Sequence, residues 1–419
     1  MPSPPPSCEN APVLALALLL SLNAAAEPPR FSWPQTRWEA RLAGATDGAC
    51  EVRALAVDGR DAVIVAGTTS RKSGYAARAV PLVAKIGAGG RRLWEQNALG
   101  RKASPWGEVR LAVVHESREI TAHGSVGDSA DDPLRLSVFA RYGPDGTIQW
   151  TRTLTVPGLF RFEPVSMTAV PGGDLVLAGT GSRPEALEVP QWCVVRVDAR
   201  LGVRWFRTHD QESTGEATPT QVVAGRGGDA FVLGVGRIGL GPKRWLMEGW
   251  GPAGERRMGA WGDGDANCLS SMGRRIATSG RGFLVAGDEV CTGKASVVFV
   301  KRLDREGRVV WEGRRVWEVT DPTMGRVSDV VALPSGGMIA VGEERTVGDE
   351  IGVTWPLALR WNAEGDLMMT GRGLLKQETT SRYTVAALDS EGNLVVAGES
   401  TALVKGVPVR RIFVRKMAF

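Results

Sequence analysis

Apolar residues along this chain fall in short runs separated by Gly, Asp or Pro, and the runs recur about every 55 residues. Each unit opens with an apolar run such as Leu55-Ala56-Val57 or Val330-Val331-Ala332-Leu333. A turn follows, as at Asp58-Gly59, Pro171-Gly172-Gly173, Pro334-Ser335-Gly336-Gly337 and Asp389-Ser390-Glu391-Gly392. A second run then ends at glycine, as in Leu175-Val176-Leu177-Ala178-Gly179. Two β-type runs flanking turn residues predict a hairpin. The closing glycines are Gly67, Gly124, Gly179, Gly234, Gly287, Gly342 and Gly398, spaced 57, 55, 55, 53, 55 and 56 apart. A third run ends in a basic residue: Lys85, Arg141, Arg196, Arg302, Arg360 or Arg415. After another turn, the fourth carries Trp94, Trp150, Trp205 or Trp311, with Met258 and Met369 in two units.

Four short antiparallel strands per unit, repeated at this period, predict an all-β propeller. No stretch keeps a 3.6-residue apolar period, so almost no helix is expected. The ends of the chain set the blade number. The seventh unit stops at Ile412-Phe413-Val414-Arg415-Lys416-Met417-Ala418-Phe419, after its third strand. The missing fourth is found at the other end, where Trp38-Glu39-Ala40-Arg41-Leu42-Ala43-Gly44 matches Trp94-Glu95-Gln96-Asn97-Ala98-Leu99-Gly100. Residues 37–43 are therefore expected to pair with 411–417 and close a ring of seven blades, a single domain over 37–419, leaving no open sheet edge.

Composition adds limits. The 419 residues are 43% hydrophobic and include 53 Gly, enough for a core and many tight turns. The net charge of +5 is spread over the whole chain, with acids among the bases and no basic run, which argues against a nucleic-acid groove. Residues 11–22 are apolar and Asn23-Ala24-Ala25-Ala26 precedes Glu27 as an A-x-A-like cleavage site. Residues 1–26 thus read as a signal peptide and 27–36 as a linker, although the first ten residues lack the usual Lys or Arg. Twelve apolar residues are too few to span a bilayer, and no other segment approaches the roughly 18 apolar residues a span needs, so no membrane span is expected. Cys8 precedes the apolar run and is no lipidation site after cleavage. The mature chain is expected to be exported, to the periplasm or beyond, and monomeric.

The units resemble the bacterial secreted β-propeller repeats of the SBBP and delta-60 type, whose hairpin ends near Val-Ala-Gly before a Phe-Val-Ala-Lys-Leu-Asp segment. Residues 292–311, 82–94, 137–150 and 383–398 carry the resemblance. The segment Arg302-Leu303-Asp304-Arg305-Glu306-Gly307-Arg308-Val309-Val310-Trp311 is also similar to the Trp-docking repeats of quinoprotein propellers, although most copies lack their Thr-Gly-Lys core. Both resemblances imply an architecture and carry no catalytic motif. A quinone cofactor in that second family goes with an adjacent Cys pair, which this chain lacks.

Individual candidates are few. The repeated aromatic position, Trp38 through Met369, is expected to bury area between blades. Each recurring basic residue is expected to bond an acid or turn carbonyl of its own blade. Gly234-Val235-Gly236-Arg237-Ile238-Gly239 fits a dinucleotide fingerprint, but Leu240-Gly241-Pro242 stops the helix which that motif needs. Asp263, Asp265 and Asn267 alternate as in calcium loops, without a Glu at the twelfth position. His115, His123 and His209 have no metal-ligand spacing, so no cofactor or metal is assigned. Cys268 and Cys291 fall in two connections on one face of the fifth blade and form the expected disulfide; Cys193 falls within a strand as a free thiol, and Cys50 lacks an evident partner. Variable connections at 68–80, 125–134, 180–190, 207–219, 262–272 and 343–354 share one face, where binding normally resides. The expected function is a non-enzymatic binding or scaffold module for a protein or polysaccharide. The alternative is a propeller enzyme, either a quinone-dependent dehydrogenase or a polymer-acting hydrolase or lyase.

Overall fold

The computed structural model describes residues 34–45, 50–73, 76–100, 106–129, 136–184, 186–209, 217–237, 241–262, 267–280, 282–321, 323–346, 353–372 and 378–418. These residues form seven four-stranded antiparallel sheets and one short 3-10 turn at Arg226–Gly228, so the chain is an all-β seven-bladed propeller. Blades one to six span 51–96, 106–152, 161–208, 217–261, 268–318 and 323–372. Blade seven takes three strands from 378–418 and its fourth from Gln35–Ala45. Strands are lettered a to d from the channel outwards. Strand d of blade seven pairs with Val407–Ala418 with Trp38 opposite Lys416 and Leu42 opposite Ile412, which closes the ring as expected.

Strands b and c read as unbroken apolar runs because each blade is covered on both faces by its neighbours. Val63 to Ala66, Leu175 to Ala178 and Leu394 to Ala397 are all at most 1% exposed. The buried residues sort into seven clusters, one per blade-to-blade interface. Leu42, Val52, Val63, Leu82, Val395 and Ile412, for example, join blades seven and one. Each fully buried aliphatic contributes roughly 1.5–3 kcal/mol.

The repeat glycine has a different place from the one its sequence context implies. Strand b does not end there but continues by several residues, as in Val63–Ser73 and Leu394–Val404. The glycine stands opposite a β-bulge in strand a in all seven blades. Gly67 pairs with Val52, and the register then skips Arg53 before Ala54 pairs with Ala66. The same skip isolates Arg110, Val165, Thr220, Arg274, Ser328 and Thr384 opposite the other six glycines. A Cβ on Gly67, Gly124, Gly342 or Gly398 would run into the strand-a carbonyl of Glu51, Glu108, Arg326 or Arg382. The glycine is thus required by a close backbone approach.

The recurring Trp is half-buried at the outer rim and does not form the centre of the interblade core. It lies on the c–d turn of the next blade. Trp38 Nε1 donates to Ala88 O (2.8 Å), Trp94 Nε1 to Pro144 O (3.0 Å) and Trp205 Nε1 to Pro252 O (2.8 Å). Each ring covers a turn glycine of positive φ. A Cβ on Gly90 (φ +85°) would stand 2.9 Å from Trp38, and one on Gly254 (φ +83°) 2.9 Å from Trp205. In blade five, Arg302 Nη1 takes the corresponding carbonyl of Ala363 (3.3 Å), and Trp311 Nε1 is without an acceptor.

Two of the expected variable connections, 68–80 and 180–190, are largely strand. The b and c strands of blade one run Val63–Ser73 and Ala76–Ile86, and those of blade three Leu175–Arg183 and Ala186–Val197. The ladder there continues as a two-stranded ribbon, with Arg71 opposite Arg78 and Arg183 opposite Ala186. Blade seven does the same and turns at Lys405 (φ 52°) and Gly406 (φ 79°), two successive left-handed residues as a tight hairpin requires. These ribbons rise from one face of the ring, the hairpin face; the a–b and c–d turns lie on the opposite, turn face.

Closure is testable. Removing residues up to 43 deletes Trp38 and uncovers the cluster around Leu42, whose loss alone is worth about 2–5 kcal/mol against a typical total of about 5–15 kcal/mol. A chain starting at Gly44 is expected to melt well below one starting at Glu27 and to aggregate. Equal melting temperatures by calorimetry would refute the closure.

Candidate functional site

The bulges build the central channel. Each bulged residue leaves the ladder and turns towards the axis. Six of the seven line a cavity of about 390 Å³ together with Arg275, Arg326 and Arg382. The position is recognisable in the sequence: it falls fourteen residues before the repeat glycine, thirteen in blade five. Sequence reading missed it because these residues are of mixed type, from arginine to Val165, and lack any motif.

Arginines and acids alternate around the channel. Arg53 pairs with Glu51, and Arg110 bridges Glu108 (2.6 Å) in its own blade and Glu163 (2.5 Å) in blade three. Arg274 pairs with Asp288 (2.8 Å), Arg275 with Asp329 (3.6 Å), and Arg382 with Glu399 (2.8 Å) and Glu343 (3.9 Å). A bulge also frees a strand-a N–H for a neighbour to cap. Val222 N donates to Ser166 Oγ (3.0 Å), Ile276 N to Gln221 Oε1 (2.7 Å) and Ala386 N to Asp329 Oδ2 (2.8 Å), each from one blade to the next. Burial raises the Asp329 carboxyl above the usual carboxylate range, opposed by Arg275 and by the N–H groups of Ala386 and Val330. Val52 N donates to Glu399 Oε1 (2.6 Å), which ties blade one to blade seven.

On the hairpin face the channel opens into a second cavity of about 320 Å³. It shares Glu343 and Arg382 with the channel and adds hydroxyls from Thr354, Thr380, Ser381 and Thr401. Its carboxylates are engaged: Glu51 by Arg53, Glu343 by Arg382, and Glu399 by Arg382, Thr384 Oγ1 (2.7 Å) and the Val52 N–H. The site can offer hydrogen bonds and local charge of both signs; no carboxyl pair is set apart for acid and base roles.

Apolar side chains also collect on this face. Leu269 (69% exposed), Val290 and Val319 stand at the hairpin end of blade five, and Leu403 (58%), Val404 and Val407 at the ribbon tip of blade seven. Phe160, 70% exposed, precedes strand a of blade three.

The recurring basic residues are structural. Lys85 meets Asp58 (2.7 Å), Arg141 meets Glu119 (2.7 Å) and Arg196 meets Asp174 (3.0 Å), all within one blade. Three departures correct the expectation. Arg196 Nη1 also donates to the Gly228 and Pro252 carbonyls of blade four (both 3.2 Å). Arg302 reaches the neighbouring blade, and the register in blade seven puts Lys416, not Arg415, opposite the Trp. Lys416 pairs with Asp389, whereas Arg415 pairs with Glu39 (2.8 Å) across the closing strands.

Of the expected calcium loop, Asp263 and Asp265 lie outside the described residues, as do the whole of 1–26 and most of the linker; Asn267 is exposed at the start of blade five. Gly234 and Gly236 lie inside strand b of blade four, so that fingerprint meets no helix. Cys268 and Cys291 stand directly opposite in the register and are joined as a disulfide. Glu289 lies beside them, its Oε2 3.9 Å from Cys268 Sγ. Burial raises the Cys50 and Cys193 thiols to about 11, with Glu399 adding to the effect at Cys50. Neither is disulfide-bonded and both are buried, hence inert thiols.

The histidines are internal. His115 Nε2 accepts from Arg141 Nη1 (2.7 Å), and burial with that cation lowers its pKa to about 4. His123 bonds Ser137 Oγ (2.8 Å), and burial, helped by Arg110, lowers its pKa to about 3. His209 lies against Trp192 and bonds Glu248 Oε1 (2.9 Å).

No protein-family model matches the chain, and no curated protein sequence matches it. Solved structures do. Puromycin hydrolase aligns with a TM-score of 0.51 at 13% identity over 84% of this chain, which spans 50% of that one. The structure described as YCF48 bound to D1 peptide aligns with a TM-score of 0.51 at 9% identity, over 94% of this chain and 98% of that one. The polysaccharide lyase Uly1 aligns with a TM-score of 0.49 at 9% identity over 87% and 90% of the two chains. The class that the geometry and the first two of these neighbours define is the β-propeller. At such identities the likeness carries the fold alone, and the neighbours include both enzymes and binding proteins.

Two predictions follow from the buried groups. His115 and His123 have folded-state pKa values below the unfolded value near 6.5, so the unfolded chain takes up their protons first. The stability they confer is complete above pH 6.5 and is lost as pH falls towards 4 and 3, by roughly 2 kcal/mol each at pH 5. Denaturant titrations at pH 7 and 5 are expected to show that loss, and His123→Phe to reduce it. Unreduced mass mapping is expected to find Cys268 linked to Cys291, with Cys50 and Cys193 alkylated only after unfolding. Ready alkylation of all four in the folded state would contradict the pairing.

Proposed function

We propose that the protein is an exported, monomeric binding propeller that engages a protein or polysaccharide partner with its hairpin face. The observation that carries this reading is the combination on that face of a polar, charge-balanced channel mouth and a surround of exposed Leu269, Val290, Leu403 and Val407. Apolar side chains around polar groups that form hydrogen bonds are the anatomy of a recognition surface. Leu403 and Val407 stand on a ribbon that extends two rigid strands, and Leu269 and Val290 within strands, so little ordering is needed on binding. The engagement of each mouth carboxylate by arginine, hydroxyl or backbone favours recognition over acid–base chemistry. The apolar stretch before Glu27 and the resemblance to secreted propeller repeats support export. No described helix is long and apolar enough to cross a membrane.

The reading is tested in two parts. Protein recovered from the producing cell is expected to begin at Glu27; retention of Met1 would overturn export. A photo-reactive side chain at Leu403 is expected to give discrete cross-linked products with a protein or glycan, abolished by Val407→Asp. The same group at Arg308, on the turn face, is expected to give none. Equal products from both faces, or none from Leu403, would overturn the assignment of the face.

A further inference from the structure

The groove between blades four and five, on the turn face, departs from the repeat at three aligned positions. Where strand c meets the docking residue of strand d, the pairs are Lys85 with Trp94, Arg141 with Trp150, Arg196 with Trp205, Arg302 with Trp311, Arg360 with Met369 and Lys416 with Trp38. In blade four the pair is Gly249 with Met258, so the base and the Trp are absent together, whereas blade six, which also has Met, keeps its base. Strand b carries Phe231 opposite Gly249, where other blades have Ile64, Thr121, Val176, Leu284, Ile339 or Val395. A Cβ on Gly249 would stand 2.6 Å from Met258 and 2.9 Å from Phe231, so the aromatic ring takes the space of the absent base.

The result is a cavity of about 560 Å³. That is a volume typical of small-molecule sites, roughly 300–1,000 Å³. Phe231 and Phe283, their ring centroids 4.4 Å apart, form an apolar floor with Met258. Arg226, Arg257 and Arg305 stand around it with a single acid, Asp229. In blades one and three the turn acid binds the strand-c base; here Asp229 binds Arg257 instead (2.9 Å). Among the described residues, Arg305 donates only to the Gly280 carbonyl (3.3 Å) and Arg226 has no side-chain partner. Guanidinium groups with unused donors beside an apolar floor match a planar anion attached to a hydrophobic body.

We propose that this groove is a binding site for a small organic anion, a carboxylate or sulfonate carried on an aromatic or similarly sized apolar body. It is separate from the hairpin face and does not depend on the function proposed for that face. A repeat position that breaks its own rule at one place, with a cavity as the outcome, is where a specific function is expected to have displaced the structural optimum.

The test titrates the folded full chain by calorimetry with anilinonaphthalenesulfonate, and in parallel with neutral phenylnaphthylamine. One sulfonate per chain is expected, with the neutral compound weaker by about tenfold or more. Arg226→Glu with Arg305→Glu, both exposed, is expected to weaken the sulfonate by about tenfold or more while leaving the melting temperature and the neutral compound unchanged. Met258→Trp, which restores the repeat's side chain, is expected to weaken both ligands. Arg326→Glu in the channel is expected to change neither. Absence of sulfonate binding, an unchanged affinity in the double charge reversal, or loss of binding in Arg326→Glu would each overturn the proposal.

Discussion

A backbone-to-backbone contact too close for any Cβ, between strand b and the innermost strand of the same blade, governs the rest of this molecule. It recurs at Gly67, Gly124 and each later repeat glycine, always opposite a bulge. The bulge bends strand a and releases one residue from the ladder towards the axis. It also frees N–H groups that side chains of the preceding blade cap, as Ser166, Gln221 and Asp329 do. Sheet geometry, channel lining and part of the blade-to-blade bonding thus descend from one steric requirement. Mutation of such a glycine is expected to disturb all three together.

The architecture was legible because its determinants repeat. Seven runs ending in glycine, a Trp at fixed offset and a first strand that matches the missing last one suffice to count blades and to close the ring. The detail was less legible where a physical role differs from its sequence context. A glycine after an apolar run reads as a stop, yet Gly398 sits inside a strand that continues to Val404. A Trp in five of seven units reads as core, yet Trp38 and Trp205 are rim residues held by a turn carbonyl. Arg415 and Lys416 are adjacent bases, and only the pairing register decides which one is the repeat position. The channel residues escaped because a bulge site selects for direction, not residue type: Arg53, Val165 and Ser328 occupy it equally well.

The two faces of the ring are chemically unlike. On the turn face, tight turns are closed by side-chain oxygens, as where Asp58, Asp198, Asp304 and Asp389 accept nearby backbone N–H groups. Those turns are nearly uniform, which makes the single irregular groove beside Phe231 conspicuous. On the hairpin face the ribbons differ in length from blade to blade, and exposed aliphatic residues stand at the ends of blades five and seven. Regularity belongs to stability and irregularity to recognition in such a scaffold, as expected when rigid elements carry variable connections.

The pairing of Gln35–Ala45 with Val407–Ala418 also sets a timetable for synthesis. Glu39 and its partner Arg415 are 376 residues apart. At about 5–20 residues per second, translation leaves the first strand without its partner for roughly 20–75 s, while the intervening blades emerge and fold. During that interval the early strand is an unpaired edge-former on a nascent chain, and blade seven cannot exist. The final docking step joins the two ends of the longest loop in the protein, so the formation rate of the intact ring is expected to be governed by that late encounter and not by the folding of any one blade.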